Sequence, residues 1–220
     1  MSTRIQEQIL QPGNLRYSLS FPGETSDDQP RPLILALHFA GHGIPFFGKL
    51  ILTELVEPAL RDLGAIIVAP DCTGPDWTHS KSEKDVLTIL NHIYKTYNVD
   101  STRTLITGYS MGGVGTWYLA ARHQERFSAA LIMAGTPPPN VTNTDWRIPI
   151  LAIQSRQDEM MPLQPTEIVV EQLNAQGKPV DLMILEGITH FETWRYTVPL
   201  CASIPWIRKA WENESKSPHR

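Results

Sequence analysis

Thr104-Leu105-Ile106-Thr107 runs directly into Gly108-Tyr109-Ser110-Met111-Gly112-Gly113, and a helical pattern follows as far as Gln124. A short run that is apolar on both faces reads as a strand buried inside a parallel sheet. G-x-S-x-G between such a strand and a helix places a serine on a sharp strand-to-helix turn. Bulky side chains two positions before and after that serine would collide, and Gly108 and Gly112 remove them. The turn also sets Ser110 at a helix N-terminus, where free N–H groups and the helix dipole favour developing negative charge. An incidental serine in a glycine-rich turn is the bland alternative, and the rest of the chain decides against it.

Outward from this stretch the same alternation recurs. Short apolar runs lie at Leu33–Leu37, Ala65–Ala69, Ala129–Ala134, Ile150–Ile153 and Val180–Leu185, while Tyr17–Phe21 alternates and suits an antiparallel strand at the N-terminal edge. Helices are expected between them. Ser80-Lys81-Ser82-Glu83 has capping-box spacing ahead of an apolar stripe from Val86 to Tyr97. Pro165 opens a helix that stops at Gly177, and Gly112–Gln124 and Glu192–Trp211 supply two more. Strand–helix alternation with right-handed crossovers gives an α/β fold: an open, mostly parallel sheet with helices on both faces. No linker-like stretch divides it, so residues 1–220 are expected to form a single domain, with Glu212–Arg220 as a polar tail.

Composition narrows the function. The 220 residues carry 19 Lys+Arg against 23 Asp+Glu, a net charge of −4 without a basic block. That argues against nucleic acid as the partner. The start of the chain is polar, and the longest purely apolar runs fall far short of the roughly 20 residues of a membrane-spanning helix. A cytoplasmic protein without integral membrane association is expected. Cys72 and Cys201 have no metal or redox spacing and read as two reduced thiols. His38 and His42 are spaced H-x-x-x-H, but they straddle a strand end and a glycine loop with no third ligand beside them. No metal or cofactor is expected. His92 and His123 fall on helices and read as surface or satisfied residues, His79 as a loop residue and His219 as part of the tail.

A serine hydroxyl is a weak nucleophile unless a histidine, oriented by a carboxylate, takes its proton. The loop after Ile150–Ile153 carries Gln154-Ser155-Arg156-Gln157-Asp158-Glu159, and the one after Val180–Leu185 carries Gly187-Ile188-Thr189-His190. With Gly108–Gly113, these segments resemble the α/β-hydrolase superfamily. Within it the chain looks like the small dienelactone hydrolase and carboxylesterase–phospholipase-like branch, which includes feruloyl esterases and predicted peptidases. The resemblance covers Leu33 to about Trp194 and implies a cofactor-free serine hydrolase. It assigns Ser110 as nucleophile, Asp158 as acid with Glu159 as the nearby rival, and His190 as base, in the superfamily's chain order.

An oxyanion hole needs two donors. The first is the N–H of Met111, next to the nucleophile. Relatives supply the second from a His-Gly-x-Gly loop, which here reads His38-Phe39-Ala40-Gly41. Alignment points to Ala40, with Phe39 as the alternative because it stands where relatives have glycine. Apolar residues at the carboxyl ends of the strands form the expected pocket: Phe39, Trp77, Met161 and Phe191, with Trp77 the leading candidate. Trp117 and Trp194, on helices, read as core. The expected function is hydrolysis of small or medium carboxylic esters. A small serine peptidase is the alternative, and a non-catalytic binding protein on the same scaffold is a weaker one. The stretch from Ala134 to Ile150 is too short and too polar to build a lid.

Overall fold

The computed structural model describes residues 4–22, 29–41 and 44–215. Among the described residues one sheet holds eight strands: β1 (Arg4–Leu10), β2 (Leu15–Phe21), β3 (Arg31–Leu37), β4 (Ile66–Pro70), β5 (Val99–Tyr109), β6 (Ala129–Met133), β7 (Ile150–Ser155) and β8 (Val180–Leu185). They are ordered β1-β2-β4-β3-β5-β6-β7-β8. The six from β4 to β8 run parallel, and β1 and β2 are antiparallel to their neighbours. The pleat explains the continuous apolar runs. In β3, Leu33, Leu35 and Leu37 enter the core on one face, and Ile34 and Ala36 enter the core on the other.

Two sets of helices cover those faces. On one lie α3 (Ser80–Thr96), α4 (Met111–Arg122) and α5 (Leu163–Ala175), contributing Ile89, Trp117 and Leu173. On the other lie α1 (Gly48–Ile51), α2 (Glu57–Leu60), α6 (Thr197–Ala202) and α7 (Ile204–Ser215), contributing Ile51, Leu60, Leu200 and Ile207.

Tyr17–Phe21 is not the edge, because β1 pairs outside it from Arg4↔Phe21 to Leu10↔Leu15. An edge strand needs backbone partners rather than an apolar face, and Ile9 of β1 is 51% exposed. The helical segment from Gly48 to Leu63 has no counterpart in the sequence reading. Its apolar residues keep helical spacing, with Ile51, Leu52, Leu55, Val56, Ala59, Leu60 and Leu63 all buried, but Pro58 interrupts the ladder. Having no N–H to give, that proline follows a π turn at Leu52–Val56 and sits in the first turn of α2. The expected helix over Glu192–Trp211 is three pieces: a 3-10 turn at Thr193–Tyr196, then α6 and α7. α7 continues to Ser215, past the start of the expected tail, and residues 216–220 lie outside the described residues.

The capping box does not form. His79 is the N-cap, its ring nitrogen accepting from the Lys81 N–H at 3.2 Å. Glu83 reaches across to α4 instead, where it accepts from Arg122 Nε at 2.7 Å, His123 Nε2 at 2.7 Å and the Tyr118 hydroxyl at 3.0 Å. Burial alone would raise its proton affinity, but these donors outweigh burial and hold the carboxyl below the ordinary range. The contribution to stability is therefore complete above the unfolded value of about 4.3 and is lost as pH falls below it. Glu83→Ala is expected to lower unfolding free energy by about 2 kcal/mol at pH 7. In denaturant titrations at pH 7 and pH 3, the gap to wild type should shrink at the lower pH.

Between β6 and β7 the chain makes one 3-10 turn, Val141–Asn143, and no α-helix. Val141, Trp146 and Ile148 turn into the core, and Trp146 meets Trp117 edge-on at 5.9 Å. Through these residues the segment packs down onto the domain.

Candidate active site

The parallel strands end at one edge of the sheet, and the candidate residues lie on the loops that leave it. At the end of β5, Ser110 has φ 58° and ψ −119°, a strained conformation for a residue with a side chain. Its N–H donates to the Met133 carbonyl at 3.1 Å, and its carbonyl accepts from Val114 at 3.0 Å, starting the α4 ladder. The two glycines are obligatory through close approach. A Cβ on Gly108 would lie 2.2 Å from the Gly112 carbonyl oxygen, and one on Gly112 would lie 1.9 Å from that of Leu37.

Ser110 Oγ lies 2.8 Å from His190 Nε2. The other ring nitrogen of His190, Nδ1, lies 2.9 Å from both oxygens of Asp158. All three residues are buried, with 5–7% of their surface exposed. The Asp158 carboxylate is itself fixed, accepting from the Met160 and Met161 N–H groups at 3.0 and 2.7 Å and from Gln154 Nε2 at 3.4 Å. With Nδ1–H donated to this carboxylate, Nε2 is free to accept from the serine. Glu159 does not touch the ring: its Oε2 accepts from the His190 backbone N–H at 3.0 Å. The Tyr109 hydroxyl donates to the His190 carbonyl at 2.7 Å. Burial, with the neighbouring Tyr196 and Asp158 adding to it, pushes that phenol strongly upward, so it stays a neutral donor.

At the end of β3, the His38 ring is a structural member. Its Nε2 accepts from the Cys72 N–H at 3.0 Å, which leaves Nδ1–H to donate to the Phe39 carbonyl at 2.6 Å. With both nitrogens committed, His38 has no lone pair for a metal. His42 lies outside the described residues, and among the described residues no group of three His, Cys, Asp or Glu side chains is arranged to hold one. The N–H groups of Met111, Phe39 and Ala40 have no acceptor among the described residues. Neither candidate for the second oxyanion donor is committed to another described residue.

Of the expected pocket residues, Trp77 is displaced from its role. It is fully buried, its indole N–H donates to the His38 carbonyl at 2.9 Å, and its side chain packs against Gly115. It props the β3 loop from behind and does not face ligand. Phe191 is 69% exposed and meets the His190 ring edge-on at 5.7 Å. Met161 sits beside Asp158 and accepts from Thr136 Oγ1 at 3.2 Å, and Phe39 is half-buried against Phe47. Trp117 is core as expected, but Trp194 is not, being 63% exposed. His123 is satisfied by Glu83, and Cys72 and Cys201 are free thiols. Glu159 and Tyr109 are the site members that sequence reasoning missed in these roles, since a side chain that bonds a distant backbone leaves no motif.

The model of the dienelactone hydrolase family matches residues 58–195. "Probable feruloyl esterase C" of Aspergillus flavus is 26% identical over 153 residues, covering 66% of this chain and 56% of that protein. The chain thus spans little more than half the length of the curated relatives it matches. A thermostable esterase superposes with a TM-score of 0.78 at 21% identity, over 94% of this chain and 62% of its own. FphF, a fluorophosphonate-binding serine hydrolase of Staphylococcus aureus, gives 0.76 at 11% identity, over 94% and 98%. At these identities the superpositions speak for the fold.

Proposed function

Because this chain belongs to the dienelactone hydrolase family, we propose that it hydrolyses carboxylic esters of small or medium size, with Ser110 as nucleophile, His190 as base and Asp158 as orienting acid. The observation that carries the reading is the unbroken chain of contacts from Ser110 Oγ through the imidazole to the Asp158 carboxylate. It starts on a strained turn at the head of α4. As Oγ attacks the ester carbonyl, His190 Nε2 takes its proton, and the carbonyl oxygen becomes an oxyanion facing the Met111 N–H and that of Ala40 or Phe39. Each such donor is worth about 3–4 kcal/mol of barrier. The imidazolium then returns the proton to the leaving alcohol. A water, deprotonated by the same imidazole, cleaves the acyl-enzyme.

Labelling with a fluorophosphonate probe tests the class, since a binding protein on this scaffold would not label at Ser110. Nitrophenyl esters compared with peptide anilides separate esterase from peptidase, and feruloyl esters join the panel on the strength of the Aspergillus relative.

The connection between β6 and β7, which holds one 3-10 turn and no α-helix, supports a further expectation. Without a lid in that connection, each added methylene contributes about 0.8 kcal/mol only while it is buried. Hydrolysis is expected to peak at short acyl chains, without a rate jump above the substrate's solubility limit. Nitrophenyl esters from acetyl to palmitoyl decide it, and a palmitoyl preference with interfacial activation would refute the lidless reading.

A further inference from the structure

The loop that carries Asp158 holds the histidine segment with consecutive side chains. Ser155 Oγ donates to the Ile188 carbonyl at 2.6 Å. Arg156 Nε pairs with Glu186 at 3.0 Å, and Gln157 accepts from the Gly187 N–H at 2.5 Å. Asp158 holds the His190 ring, and Glu159 holds its backbone N–H. These grips are not equivalent. Arg156 and Glu186 are both well exposed, and such pairs are worth little. Ser155 and Gln157 bind two and three residues upstream of the histidine, so their effect reaches it through intervening torsions. Only Asp158 and Glu159 take hold of His190 itself from this loop, one at the ring and one at the peptide.

We infer that Glu159 is a positioning residue, which fixes the backbone of His190 so that Nε2 stays in line with Ser110 Oγ. This rests on the assignment of His190 as the base and goes beyond it. The imidazole is joined to its backbone by two rotatable bonds. A hydrogen bond from Asp158 alone restrains the ring but leaves the peptide free to shift and carry Nε2 with it. Glu159 on the N–H and Tyr109 on the carbonyl hold the peptide from both sides. The function needs an acceptor, not a charge, and Glu159 lies on the surface, so its replacement does not threaten the core.

Three variants and two readouts test it. Glu159→Ala is expected to lower kcat on a nitrophenyl ester tenfold to a hundredfold, the scale at which small misplacements of reacting groups act. KM and Tm should change little. Glu159→Gln keeps an acceptor oxygen in place and should restore kcat to within about threefold of wild type, whereas Glu159→Leu, bulky but unable to accept, should behave as Ala does. Backbone amide exchange of His190, followed by NMR, should quicken at least tenfold in Ala and Leu and stay near wild type in Gln. A Glu159→Ala enzyme with unchanged kcat, or a Gln variant as impaired as Ala, would overturn the inference. The exchange measurement does not depend on turnover. A wild-type protein that cleaved no ester would therefore sink the esterase reading, while the exchange arm still decided whether Glu159 restrains His190.

Discussion

Ser110→Ala is expected to reduce kcat for ester hydrolysis by about a millionfold while leaving the fold and its stability unchanged. The size of the loss follows from the serine acting with its partners as a unit: once the attacking oxygen is gone, the imidazole and the oxyanion donors have no covalent step to assist. The survival of the fold follows from the local structure. The partner of Ser110 Oγ is His190 Nε2, and the ring stays anchored through Nδ1. The strained backbone is held by main-chain bonds to Met133 and Val114, which alanine makes equally well. Alanine occupies φ 58° at much the same cost as serine, so Tm should move by no more than about a degree or two. Kinetics on a nitrophenyl ester, fluorophosphonate labelling and a thermal melt on one preparation check all three points. Residual activity within tenfold of wild type would sink the assignment of the nucleophile.

Why the elbow was legible and its surroundings were not comes down to what kind of constraint each residue satisfies. Gly108 and Gly112 are fixed by backbone contacts that no side chain survives, so the constraint is written as residue identity. The strands of the parallel sheet are buried on both faces, which shows as uninterrupted apolar runs. Strand β1 and the helical segment from Gly48 to Leu63 escape the same reading for opposite reasons. One needs no apolar face, and the other has one, at helical spacing from Ile51 to Leu63, but carries Pro58 inside it. Glu83 had the right spacing for a cap, but Arg122, His123 and Tyr118 offered it three donors across the helix pair. The two tryptophans both depart from their expected places. Trp77, on a loop, found the His38 carbonyl for its N–H and could be buried whole. Trp194, in a 3-10 turn, lies on the surface. Sequence spacing carries local geometry well, but it does not carry which distant group will satisfy a polar atom.

Asp158→Asn should cost about four orders of magnitude in kcat, with Glu159→Gln close to wild type, because only Asp158 governs the proton on His190. The bonds around the carboxylate say how the asparagine amide would sit. Oδ1 accepts from the N–H groups of Met160 and Met161, so the asparagine oxygen must take that position. The amide nitrogen is then forced to the place of Oδ2, 2.9 Å from His190 Nδ1. The asparagine oxygen at the place of Oδ1 is also 2.9 Å from Nδ1, but an amide N–H directed at Nδ1–H is repulsive and favours the ring tautomer in which Nδ1 accepts from the amide. Its proton moves to Nε2, which then points a donor at Ser110 Oγ and cannot take the serine proton. The base is present, buried and in place, but in the wrong tautomer. Two measurements check this: kcat on a nitrophenyl ester, and the ¹⁵N shifts of the His190 ring, which distinguish the tautomers directly. If Glu159→Gln proved the crippling change and Asp158→Asn the mild one, the acid would be Glu159, and its bond to the His190 peptide would have to be replaced by one to the ring.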